Sequence, residues 1–131
     1  MKPDPSTWNV LIVDDEPDSV GVVEHIFVFH QAKVRTANSG LACIELVKQE
    51  RPGILFLDIQ MPKMSGWEVL KQIREDANMK DVIVIALTAH AMHGDKERIL
   101  DAGFDGYFSK PISPLTFVTD VNAILEARSS K

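Results

Sequence analysis

The chain has 131 residues, of which 45% are hydrophobic and 25% are charged, so it can form one domain with a real core and gives no sign of disorder. Its formal net charge of −5, with basic residues scattered along the chain, argues against direct nucleic-acid binding, because phosphate backbones are bound by clustered lysines and arginines. The single cysteine excludes an internal disulfide and suits a reducing cytoplasm, and no apolar run approaches the roughly 18–20 residues of a membrane helix. We therefore expect a cytoplasmic protein without membrane contact.

Five short apolar or β-rich runs predict the strands. After a tail at 1–7 that we expect to be flexible, the runs lie at 10–13, 33–36, 54–57, 82–87 and, more weakly, 106–108. The first, third and fourth runs are continuously apolar, without alternation. This pattern is typical of strands that are buried on both faces of a parallel sheet.

Helix signals separate these runs. The signals are the capping residues Ser39, Ser65 and Ser113-Pro114, and the stop at Gly103 after a helix over 94–102. Five β-α units with right-handed crossovers predict an α/β domain of three layers, with helices on both faces of a parallel five-stranded sheet. We assign this domain to residues 8–128 and treat 129–131 as a C-terminal tail.

Polar residues follow four of the five predicted strands. They are Asp14, Asp15 and Glu16 after the first strand, Asp58 after the third, Thr88 at the end of the fourth, and Lys110 just past the fifth. Alone, an aspartate after a strand is usually a turn or cap residue, a threonine at a strand end mostly reflects β-propensity, and a lysine before proline is usually a solvated loop charge. Because the carboxyl ends of parallel strands lie at one edge of a sheet, we expect these groups to converge there.

The charges of this group indicate what it binds. Asp14, Asp15 and Asp58 carry −3, which Lys110 and one Mg²⁺ would balance. A balanced cluster of this kind can accept an anionic phosphoryl group, with Asp58 as the carboxylate nucleophile. The Thr88 hydroxyl and the Lys110 ammonium would then hydrogen-bond phosphoryl oxygens.

The same residues make the chain similar to a known family. The motifs are LIVDDEP at 11–17, LDIQMP at 57–62 followed by Ser65-Gly66, ALTA at 86–89 and YFSKP at 107–111. In this order and spacing they resemble the receiver domain of two-component response regulators, over nearly the whole chain. The resemblance implies a flavodoxin-like fold with strand order 2-1-3-4-5, which places the acidic residues at the topological switch point.

The resemblance also implies the acceptor and its metal ligands. Asp58 matches the phosphoacceptor, and Asp14 and Asp15 match the metal-binding acid pair. The ligands of Mg²⁺ would be Asp14, Asp15, Asp58 and the backbone carbonyl of Gln60. No other cofactor is implied.

The remaining matches concern a conformational switch. Thr88 matches the switch hydroxyl, Tyr107 matches the aromatic residue that turns inward when the hydroxyl moves, and Lys110 matches a lysine whose bond to Pro111 is cis in relatives. Phosphorylation would then remodel the face built from the fourth helix, the fifth strand and the fifth helix. The phosphodonor would be a sensor histidine kinase or a histidine phosphotransfer protein, and the signal would pass to a downstream protein or onward in a relay.

Three other functions compete with this interpretation. A phosphatase of the haloacid dehalogenase type needs a second aspartate two residues after the nucleophile, where this chain has Gln60. An FMN carrier would need a phosphate-cradling loop after the first strand, where Asp14-Asp15-Glu16 would repel phosphate. A receiver-like scaffold that is never phosphorylated would usually lack one of the key residues. We therefore expect no enzyme activity beyond the chain's own phosphoryl uptake and autodephosphorylation.

Some features stay open on the sequence alone. The chain is either a stand-alone receiver, which we favour, or part of a longer protein, and a homodimer is an alternative to a monomer. On the first helix, Val22, Ile26 and Phe29 form a second apolar stripe that either packs on a neighbouring helix or docks a phosphodonor or second copy. Gln60 and His90 flank the site and are candidates for tuning the lifetime of the phosphorylated state.

Overall fold

Five strands form one parallel sheet with the order β2-β1-β3-β4-β5. The computed structural model describes residues 4–89 and 95–129. The strands are β1 (Asn9–Val13), β2 (Lys33–Ala37), β3 (Ile54–Asp58), β4 (Ile83–Thr88) and β5 (Gly106–Ser109). Each lies within one residue of its predicted bounds at both ends. The expected sheet and its order are confirmed.

The helices follow the strands in alternation. They are α1 (Pro17–Phe29), α2 (Gly40–Gln49), α3 (Gly66–Glu75), α4 (Asp95–Ala102) and α5 (Phe117–Ser129). A short 3-10 turn at Pro5–Thr7 precedes β1, and Asp4 caps it. None of the described helices combines the length and apolarity that crossing a membrane requires.

The caps of α2 and α3 form as the sequence predicts, but the start of α5 differs. Ser39 accepts a hydrogen bond from the Ala42 N–H, and Ser65 forms a reciprocal capping box with Glu68. After Ser113 the chain makes hydrogen-bonded turns, and α5 begins only at Phe117. The prediction that the helix begins at the Ser113-Pro114 step was therefore wrong by about one turn.

The sheet is covered on both faces, and the alternation of each strand divides its side chains between them. Leu11 and Val13 pack with residues of α2, α3 and α4, whereas Val10 and Ile12 pack with residues of α1 and α5. The second face contains three mutually contacting aromatic rings with centroids 5.3–5.6 Å apart, those of Phe27, Phe56 and Phe117. Strands covered on both faces explain the continuous apolar runs.

The three residues of the second apolar stripe of α1 differ in burial. Ile26 is buried in the core, but Val22 and Phe29 are 44% and 77% exposed. The interpretation that all three pack on a neighbouring helix is wrong for Val22 and Phe29. Cys43, in contrast, is fully buried on α2, as predicted for a small core residue.

Candidate functional site

The polar strand-end residues meet at one edge of the sheet. Asp58 is the last residue of β3 and pairs in register with Leu87, one residue before Thr88 on β4. Thr88 pairs with Ser109, the last residue of β5, and its carbonyl accepts a hydrogen bond of 2.8 Å from the backbone N–H of Lys110. The predicted convergence therefore follows from parallel strands that end at the same level.

Three carboxylates form the centre of this site. One carboxylate oxygen each of Asp14, Asp15 and Asp58 lies within 4.8 Å of the other two. Asp14 and Asp58 are buried, with 1% and 5% exposure, whereas Asp15 is exposed. Clustered carboxylate oxygens with one side open to water are the donors that Mg²⁺ prefers, because this ion keeps several of its waters. The residues present therefore fit a divalent cation.

Lys110 bonds more closely to Asp14 than to Asp58. Its Nζ donates to Asp14 Oδ2 at 2.7 Å and to Asp58 Oδ2 at 3.5 Å. Burial lowers the pKa of Lys110, but the hydrogen bond to Asp14 and the charge of Asp58 together outweigh burial and raise it. The lysine is therefore a fixed positive charge between the two buried carboxylates. Its bond to Pro111 is cis.

Asp58 ionises less readily than an ordinary aspartate. Burial, followed by the charge of Asp14, raises the pKa of Asp58 to about 6, although Lys110 and a hydrogen bond from the Gln60 N–H act in the opposite direction. Above about pH 6 the ionised Asp58 therefore bears the cost of burial and the repulsion of Asp14, which Lys110 does not fully compensate. A bound cation would remove this repulsion.

Backbone groups fix the orientation of both buried carboxylates. The Glu16 N–H donates to Asp14 Oδ1 at 3.0 Å, and the Gln60 N–H donates to Asp58 Oδ1 at 3.1 Å. In each case the loop that follows the strand folds back, so that a backbone N–H reaches the carboxylate of the aspartate two residues earlier. The second oxygen of each carboxylate faces Lys110, so both side chains are held from two directions.

Gly66 lies against the site, although the sequence indicated it only as part of a helix start and of a family motif. Its N–H donates to the Ile59 carbonyl at 2.8 Å. A Cβ at this position would lie 2.5 Å from the Asp58 carbonyl oxygen, which is closer than any real contact. The absence of a side chain therefore lets the start of α3 lie directly against the backbone of Asp58. A motif alone does not reveal this, because the approach depends on how the loop folds back.

The other predicted site residues lie around the cluster. Thr88 is 3% exposed, and Gln60 is exposed at the start of the β3–α3 loop. Tyr107 is half-buried, pairs with Ala86 and packs against the core on the α2, α3 and α4 side. His90 lies outside the described residues.

Fold and site together define a class, that of doubly wound α/β domains with an acidic cluster and a lysine at the carboxyl ends of their strands. Comparison with known families gives the family directly. A family model described as the response regulator receiver domain matches residues 10–122. The chain belongs to this family, whose members act in phosphorylation-dependent signalling, and the scaffold alternative is not favoured.

Individual relatives agree with this assignment. The chain is 34% identical over 119 residues to the polar-differentiation response regulator DivK of Brucella ovis, covering 91% of this chain and 97% of the relative. It is 26% identical to the chemotaxis response regulator CheY4 of Vibrio cholerae, with a TM-score of 0.82 over 90% of this chain and 99% of that structure. A response regulator from Desulfuromonas acetoxidans has a TM-score of 0.84 at 17% identity, covering 92% of this chain and 98% of that structure, and shows the fold alone.

Proposed function

We propose that Asp58 accepts a phosphoryl group from a phosphohistidine on a sensor histidine kinase or a histidine phosphotransfer protein. The observation that carries this proposal is the position of the Asp58 carboxylate, within 4.8 Å of two further carboxylates and 3.5 Å from the Lys110 ammonium. In this proposal Asp14, Asp15, Asp58 and the Gln60 carbonyl hold Mg²⁺. The protein acts in the cytoplasm, and its chemistry is limited to its own phosphoryl uptake and autodephosphorylation.

The transfer exchanges one bond for another at phosphorus. An Asp58 carboxylate oxygen attacks the phosphorus, a P–O bond forms and the P–N bond to the donor histidine breaks. The electron pair of the broken bond stays on the imidazole, which enters protonated at its other nitrogen and leaves as neutral histidine. Mg²⁺, when bound, offsets the charge that gathers on the phosphoryl oxygens.

Lys110 and Thr88 complete the binding of the phosphoryl group. Lys110 is hydrogen-bonded to Asp14 at 2.7 Å and held at the end of β5, so its ammonium needs only a small movement to reach a phosphoryl oxygen on Asp58. The Thr88 hydroxyl donates to another oxygen, and Tyr107 follows its movement. The equilibrium between two conformations of the α4, β5 and α5 face then shifts, which changes the binding of a downstream protein or a second copy.

A groove beside α1 suits the docking of the phosphodonor. It has a volume of about 400 Å³ and is lined by Val22 and Val23 of α1 and by Lys110, Pro111 and Ile112 after β5. Because Lys110 contacts Asp58, a protein seated in this groove lies next to the acceptor. The exposure of Val22 and Phe29 on the same helix supports a docking surface.

The proposal is tested by incubating the protein with Mg²⁺ and acetyl phosphate and measuring its intact mass. We expect a phosphoryl adduct on the wild type, none on Asp58→Asn, and an undiminished adduct on Asp101→Asn, which neutralises an exposed aspartate of α4. Chelation of the metal abolishes the adduct. An adduct that persists in Asp58→Asn, or its absence from the wild type, refutes the proposal and returns the scaffold interpretation.

A further inference from the structure

Trp67 of α3 contacts α4 on one side and the segment that follows α4 on the other. The guanidinium carbon of Arg98 lies 5.3 Å from the centroid of the indole ring. The Phe104 ring, two residues after the end of α4, meets the same indole edge-on, with centroids 5.7 Å apart and an interplanar angle of 76°. The half-buried Trp67 therefore connects α3 both to α4 and to the segment after it, which Arg74 of α3 also holds through hydrogen bonds of 2.9 and 3.2 Å to the Gly103 carbonyl.

The described part of α4 contributes little to the core. Ile99 is the one buried residue of Asp95–Ala102, and Leu100 is 40% exposed. The ion pair of Arg98 with Asp95, at 3.7 Å, joins two residues of the same helix and so does not attach it to a neighbour. A helix with a single buried side chain has low local stability, so an individual contact with α3 has a large share in fixing its position.

The Trp67–Arg98 contact borders a cavity that two residues of the candidate site also line. The cavity has a volume of about 280 Å³. Gln60 and Thr88 line it on the side of the site, whereas Trp67, Arg98 and Ile99 line it on the side of α3 and α4. Because Thr88 lines this cavity, movement of its side chain towards a phosphoryl group on Asp58 would enlarge the space that Arg98 and Ile99 face. Because protein interiors are close-packed, the helix is expected to move into that space.

We propose that the Trp67–Arg98 contact is a latch that holds α4 against α3 in the unphosphorylated protein and opens when Thr88 moves towards a phosphoryl group. Trp67 stays in place because it packs on Phe104 and the core, whereas Arg98 moves with Ile99 on the same turn. The contact stabilises only the resting state and therefore opposes the switch. The latch rests on the proposed function, since it needs Asp58 to accept the phosphoryl group.

The test is the affinity of the protein for beryllofluoride, a stable phosphoryl analogue, in the presence of Mg²⁺, measured by fluorine NMR. Loss of a contact present only in the resting state favours the switched state. We expect Arg98→Gln to bind beryllofluoride about two- to five-fold more tightly than the wild type, given the strength of exposed cation–π contacts. Lys96→Gln removes the same charge from an exposed position on α4 and should bind like the wild type.

The Arg98→Gln substitution in a Trp67→Phe variant shows whether the indole ring is the partner of Arg98. Trp67→Phe keeps a ring against Phe104 but weakens the cation–π contact. In the Trp67→Phe protein, Arg98→Gln should therefore change the affinity for beryllofluoride only slightly. Equal affinities of Arg98→Gln and Lys96→Gln overturn the latch, as does weaker binding by Arg98→Gln or an undiminished effect in Trp67→Phe. Failure of the wild type to bind beryllofluoride overturns the proposed function itself, and the latch with it.

Discussion

Replacing Asp58 by asparagine should stabilise the metal-free protein. Burial and the charge of Asp14 raise the pKa of Asp58 from 3.8 to about 6, so ionised Asp58 opposes folding. A pKa difference of one unit corresponds to about 1.4 kcal/mol, and the shift therefore sets an upper limit of about 3 kcal/mol on the cost of this charge. Solvent and Lys110 relax around the charge, so we expect a gain of about 1–3 kcal/mol in the free energy of unfolding.

The gain in the free energy of unfolding should depend on pH, and the raised pKa of Asp58 determines the direction of that dependence. Above about pH 6 the folded wild type has Asp58 ionised and bears the full cost. As the pH falls from 6 towards 3.8, the folded state takes up a proton before the unfolded state does, and the cost disappears. The difference between the wild type and Asp58→Asn should therefore be largest at neutral and alkaline pH and small at about pH 4.

Urea denaturation with a metal chelator, at several pH values, measures this difference. Adding Mg²⁺ should then stabilise the wild type, by about 1.4 kcal/mol at ten times the dissociation constant, but stabilise Asp58→Asn much less. Asp101→Asn serves as the control for the loss of a negative charge elsewhere. If Asp58→Asn were less stable than the wild type at alkaline pH without metal, the reasoning from two repelling buried carboxylates would be refuted.

Four further predictions concern single residues. Gly21 is exposed within α1 and a Cβ there would meet nothing within 4 Å, so Gly21→Ala should raise the free energy of unfolding by about 0.5–1 kcal/mol. Gly66→Ala should lower it by about 1–3 kcal/mol, because the new Cβ presses on the Asp58 carbonyl, and equal urea midpoints of the two variants would contradict this account. Burial raises the pKa of the Cys43 thiol to about 12, so a maleimide should label it only after unfolding, and rapid labelling of the folded protein would show that the thiol is accessible. Gln60→Ala should change the rate of dephosphorylation several-fold, as followed by loss of the phosphoryl adduct, and an unchanged rate would show that the Gln60 side chain does not control the lifetime of the phosphorylated state.

The sheet and the meeting of its strand-end residues were predictable because both depend on local patterns. A continuous apolar run indicates a buried parallel strand, and parallel strands end at a common edge. Asp14, Asp58 and Lys110 could therefore be placed together before any coordinates were known. The charge balance that suggested a cation needed only their number and sign.

Features that depend on packing between distant segments were not predictable in this way. The closer bond of Lys110 to Asp14 and the approach of Gly66 to the Asp58 carbonyl depend on how two loops fold over the sheet. The contact of Trp67 with Arg98 joins two helices whose relative position no local pattern fixes. The late start of α5 results from turns after Ser113, where the cap signal competes with turn formation.

The most direct test of the central claim is to identify chemically which residue carries the phosphoryl group. The protein is phosphorylated with Mg²⁺ and acetyl phosphate and reduced with borohydride, which converts an acyl phosphate to a primary alcohol and so turns an aspartyl phosphate into homoserine. Peptide mass spectrometry then locates the change. Our account predicts homoserine at position 58 and unchanged aspartate at Asp14 and Asp15. Homoserine at either of those residues, or a phosphorylated protein with Asp58 unchanged, would contradict it.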